Sequence, residues 1–118
     1  MKRNRILAFF LALLLIPALV SAHVGMLNSS PVANGIVSSP PEKVTIKFAG
    51  AVEPAFSKIE VFNPANKKIS KKIRFLKDNR IMETDLKGNL GPGVYTVKWK
   101  CMSVDGHSLS EEYSFTIE

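Results

Sequence analysis

Cysteine occurs once in this 118-residue chain, tryptophan once and histidine only twice. The lone Cys101 cannot close a disulfide within the chain, so a small domain here must rest on its core alone, or on its core plus a ligand. Helical periodicity is also missing. After residue 23 no stretch repeats apolar residues at i, i+3, i+4 and i+7 over more than one turn, which excludes a helix bundle. Acidic residues are outnumbered, 10 Asp and Glu against 16 Lys and Arg, and none lies in residues 1–22. There is no internal repeat and no low-complexity tract, so a collagen-like or disordered chain is excluded. The length excludes a multi-domain enzyme or a Rossmann fold, since one core already occupies roughly 100–200 residues.

What is present begins with an export pattern. Lys2, Arg3 and Arg5 precede an apolar run from Ile6 to Val20, and Ser21 and Ala22 supply small residues at a cleavage point. That run, with Pro17 near its end, is shorter than the roughly 18–20 residues needed to span a bilayer. Residues 1–22 are therefore expected to be a secretory signal peptide. The domain proper is expected over 23–118, beginning at His23, with the net charge falling from +6 to +3 as the three cations leave. No later segment approaches membrane length, so the mature protein is expected outside the cytoplasm and not embedded in a membrane.

The rest alternates with period two, the mark of half-buried strands. Val44, Ile46 and Phe48 alternate with Thr45 and Lys47; Ile59 and Val61 with Lys58 and Glu60; Ile73 and Phe75 with Lys72 and Arg74. Tyr95, Val97, Trp99 and Cys101 form one face of a longer run, and Tyr113, Phe115 and Ile117 that of another. Cys101 shares a face with Trp99 and is expected in the core. Ile81 to Leu86 reads as a weaker strand, and 24–37 as a first edge strand limited by Pro31 and Gly35. The expected fold is all-β, a single antiparallel β-sandwich or Greek-key barrel of immunoglobulin-like type with about seven strands. The basic run Lys67, Lys68, Lys71, Lys72 and Arg74 lacks interleaved aromatics and reads as a solvated edge hairpin, with no nucleic-acid partner.

Chemistry concentrates in the two histidines. An N-terminal His23 offers its free α-amine and its imidazole together, closing a chelate ring. The amine's ordinary pKa of about 7.7–8.0 lets a metal compete with protons near neutrality. Asp105 and His107 stand two apart with Gly106 between them, a spacing that a turn can converge. Amine, two imidazoles and one carboxylate make three nitrogens and one oxygen, a set that favours tetragonal Cu(II), with Zn(II) the main competitor. A Ser-His-Asp hydrolase built from Ser103, Ser108 or Ser110 has no pocket or oxyanion hole within so few residues.

The chain resembles the CopC-type periplasmic copper-resistance proteins. The resemblance rests on His23 after the signal, Pro40 to Phe48, Val52-Glu53-Pro54-Ala55-Phe56-Ser57 and Pro92 to Trp99. It is most specific at Ser103-Val104-Asp105-Gly106-His107 followed by Tyr113-Ser114-Phe115-Thr116. It implies a non-enzymatic periplasmic carrier that binds one Cu(II) through His23, Asp105 and His107, with an inner-membrane copper permease as partner. Met26, Met82 and Met102 are scattered, so a dedicated Cu(I) site is not expected. Glu111 stands where the family often has glycine. Two other readings compete: a copper-brace oxidase resembling lytic polysaccharide monooxygenases, and a metal-free immunoglobulin-like interaction module.

Overall fold

The computed structural model describes residues 25–118; the expected signal peptide and His23 lie outside the described residues. Eight strands form two four-stranded sheets that face one another. They are β1 (Met26–Ser30), β2 (Ile36–Val37), β3 (Lys43–Phe48), β4 (Lys58–Phe62), β5 (Ser70–Leu76), β6 (Ile81–Leu86), β7 (Gly93–Met102) and β8 (Ser108–Ile117). One sheet runs β1-β3-β6-β5 and the other β2-β8-β7-β4. A single 3₁₀ turn, Pro54–Phe56, lies before β4. The architecture is the expected sandwich.

The alternation read from the sequence sets the inner faces. Val44, Ile46 and Phe48 of β3 meet Ile59 and Val61 of β4, Tyr95, Val97, Trp99 and Cys101 of β7, and Phe115 and Ile117 of β8, all at most 3% exposed. Aromatic rings interlock at this centre. Phe48 meets Trp99 edge-on at 5.4 Å, and Tyr95 stacks on Phe115 at 5.2 Å, geometries that add to the area they bury. Gly93 opens β7 where the chain passes so close to Pro64 that a Cβ would lie 2.6 Å from its Cγ.

One expectation is corrected. Segment 24–37 does not form one strand: β1 belongs to the first sheet and β2 to the second, with Pro31 and a turn closed by Gly35 N–H on the Val32 carbonyl between them. Eight strands among the described residues accord with the seven or so expected, and β2 pairs with β8 in parallel, unlike the other pairs. Ile81–Leu86 is a central strand, hydrogen-bonded to β3 and β5. Its acidic residues disguise it. Glu83 is buried on the outer face, where Arg74 reaches it at 2.6 Å, Thr45 donates at 2.9 Å and Lys43 approaches at 3.4 Å. Arg74 also forks onto Asp85 at 2.8 and 2.9 Å.

β5, which carries most of the basic run, is an edge strand with Lys71 and Lys72 exposed. Lysines there discourage pairing with another chain. Among the described residues no helix is long and apolar enough to cross a membrane.

Candidate metal site at the β7–β8 turn

β7 and β8 pair over their whole length, from Gly93 with Ile117 to Met102 with Ser108. The hairpin closes through Ser103-Val104-Asp105-Gly106-His107. Gly106 N–H donates to the Ser103 carbonyl at 3.0 Å, and Ser103 N–H to the His107 carbonyl at 2.8 Å. Gly106 takes φ +88°, and nothing lies within 4 Å of the Cβ it lacks. Glycine is needed there for its backbone, not for space.

The root of this turn is clamped by the loop before β4. Val52 bridges to Ser103, Glu53 N–H donates to the Met102 carbonyl at 2.8 Å, and Met102 N–H donates to Ser57 Oγ at 3.0 Å. Val52 N–H in turn reaches the Asn79 carbonyl at 2.8 Å in the β5–β6 turn. Loops from both sheets thus hold one strand end.

On that support the two expected ligands come together. His107 Nδ1 and Asp105 Oδ2 are 3.1 Å apart, with side chains 65% and 44% exposed. Asp105 Oδ1 accepts from the Ser103 hydroxyl and, at 3.4 Å, from the His107 amide. The Ser103 hydroxyl, with smaller help from the His107 amide and imidazole, holds Asp105 below the usual carboxylate range against the opposing effect of desolvation. The carboxylate is therefore ionised at neutral pH. The 3.1 Å between Nδ1 and Oδ2 is also the spacing of two neighbouring donors on one small ion.

Among the described residues no cluster of three ligating side chains occurs; Asp105 and His107 are a pair, and the third expected ligand, His23, lies outside the described residues. The nearest described residue to it in sequence, Gly25, stands at this same end of the sandwich. Its carbonyl accepts the Ala49 N–H at 3.1 Å, and Met26 pairs with Phe48.

The hydroxyl, carboxylate and imidazole occur in the wrong order for a hydrolase. Ser103 bonds the acid rather than the base, so nothing would take its proton. Ser103 is also what the sequence reading undervalued. Its signal was a small hydroxyl residue at the last inward position of an alternating strand, two before an aspartate. Of the three methionines among the described residues, Met82 is buried in the core and Met26 packs against it, which accounts for both.

The chain is similar to several proteins, two of which carry copper in their names. It is 39% identical to the Copper transport protein CutJ of Bacillus subtilis over 99% of its own length, but spans only 22% of that relative. It is 34% identical to Protein YobA of Escherichia coli, covering 97% of this chain and 96% of that one. CopC from Methylosinus trichosporium OB3b superposes with a TM-score of 0.73 at 32% identity, over 81% of this chain and 94% of the other. PcoC, a methionine-rich copper resistance protein of Escherichia coli, gives 0.70 at 25% identity, over 82% and 100%. The CopC domain family matches residues 26–118, essentially the whole described fold, and with this turn at its tip the chain belongs to that family.

Proposed function

We propose that this protein is an exported, non-enzymatic carrier that holds one Cu(II) ion through His23, Asp105 and His107. The observation that carries the reading is the Asp105–His107 pair on a clamped turn, at the end of the sandwich where Gly25 begins the described chain. His23 stands two residues before Gly25, and two extended residues reach about 7 Å. A terminal amine and imidazole from that side would complete three nitrogens and one oxygen, a set suited to Cu(II). Zn(II) is the competing ion. Both described ligands are solvent-exposed, so a partner can approach and replace them one at a time. That the same domain makes up 22% of a copper transport protein supports an inner-membrane permease as the recipient or source. Family membership supports a periplasmic location, or the outer cell surface where there is no outer membrane.

The test begins with N-terminal mass spectrometry of the exported protein, followed by Cu(II) titration and electron paramagnetic resonance on that species. One equivalent in a tetragonal nitrogen–oxygen environment is expected, and binding should raise the melting temperature because only the folded state holds the metal. His107→Ala should abolish most of that rise. One extra residue before His23 should weaken binding, because the amine becomes an amide. Binding should also weaken as pH falls, since protons compete for amine and imidazole. A mature protein starting elsewhere, or full affinity in the extended variant, would remove the terminal chelate.

A further inference from the structure

Ser103 is 3% exposed, while the two ligands it precedes stand open to solvent. Its backbone is held on three sides, by the Val52 bridge, by its N–H on the His107 carbonyl and by its own carbonyl accepting from Gly106. The hydroxyl is thus presented from the clamped root of the hairpin. It has one proton and two oxygens in reach, Asp105 Oδ1 and, at 3.2 Å, the His107 carbonyl. That carbonyl already accepts the Ser103 N–H, and a carboxylate is the stronger acceptor, so the proton goes to Oδ1. The His107 amide points at the same oxygen. Two donors therefore occupy Oδ1, and Oδ2 is turned towards the imidazole.

We propose that Ser103 is the positioning residue of this site: by engaging Oδ1 it fixes the Asp105 side chain and makes it a one-oxygen ligand through Oδ2. The proposal rests on the copper reading above and deepens it. An exposed aspartate on a turn otherwise samples several rotamers, and ordering them on binding weakens affinity. Ser103 does that ordering before the metal arrives. It also sets selectivity. A carboxylate giving one oxygen fits a compact nitrogen–oxygen square, whereas two-oxygen coordination belongs to larger hard ions such as calcium.

The experiment uses protein beginning at His23 and Cu(II) itself, with affinity measured by chelator competition and the metal environment by electron paramagnetic resonance. Ser103→Ala should lose about tenfold or more in affinity, the usual effect of removing a residue that orients a ligand. Its copper hyperfine coupling should change, and its metal-free His107 amide should exchange faster with solvent. Ser103→Cys, near in volume and a poor donor, should lose affinity in the same direction and carries the test if the alanine variant does not fold. In an Asp105→Ala background, Ser103→Ala should cost less than about twofold, because its effect runs through the carboxylate. Unchanged affinity and spectrum in both Ser103 variants would overturn the proposal. So would an equal loss with and without Asp105, which would make Ser103 scaffold only. Wild-type protein that fails to bind Cu(II) overturns the copper reading itself, a result distinguishable from wild-type binding with indifferent Ser103 variants.

Discussion

At the residue scale the turn depends on Gly106. An L-residue held at its φ of +88° is strained by about 1–2 kcal/mol, although there is room for the methyl. Gly106→Ala should therefore lower stability by about that much in urea unfolding, and should weaken Cu(II) binding by disturbing the Asp105–His107 approach. The approach of Asp105 to His107 was legible in the sequence from their spacing across Gly106. Ser103 was not, since its role depends on burial and on which oxygen it meets. Tyr113 was read correctly as inward-facing, but its cost was invisible: its hydroxyl is buried beside Ser29 with no properly formed hydrogen bond among the described residues. Tyr113→Phe should be close to neutral at pH 7, within about 0.5 kcal/mol, because no satisfied bond is lost.

At the element scale β6 shows where alternation misleads. Met82 and Thr84 face inward, and the Thr84 hydroxyl accepts from Lys71 N–H at 3.0 Å, so a polar residue fills a core position of the strand. Outward Glu83 and Asp85 look like loop residues until β3 and β5 supply Lys43, Thr45 and Arg74 across the register. That information lies in other strands, which is why a window of six residues could not show it. β3, β4, β7 and β8 were legible because each carries its own face. The Arg74 guanidinium lies beside Glu83 and, overcoming the opposing effect of burial with smaller help from Thr45 and Lys43, holds its carboxyl below the ordinary range. A depressed folded-state value adds stability above the unfolded pKa and loses it as pH falls through the folded one. Acidification from about pH 5 to 3 should therefore destabilise the protein. Glu83→Gln should be weaker by about 1–2 kcal/mol at pH 7 and should lose less over that acid range, as followed by denaturant midpoints.

At the scale of the whole molecule, stability is bounded on the alkaline side as well. Burial pushes the Tyr113 phenol up to about 12 and raises the Cys101 thiol. Both folded values lie above the unfolded ones, so their contribution is complete at neutral pH and fades as pH climbs past about 9–10. Thermal melts between pH 9 and 12 should show that decline, shallower in Tyr113→Phe. The overall sandwich was legible in the strand spacing, but its split first segment was not. The exchange of β1 and β2 between sheets is decided by tertiary packing around Pro31, for which short polar runs carry no periodic signal.

β8 leads away from the ligand turn for ten residues, Ser108–Ile117, a run of about 30 Å. A dye, purification handle or surface tether joined after Glu118 would therefore hang from the far pole and leave the proposed copper site unobstructed. On the proposed reading, the same cargo attached ahead of His23 would turn the chelating amine into an amide.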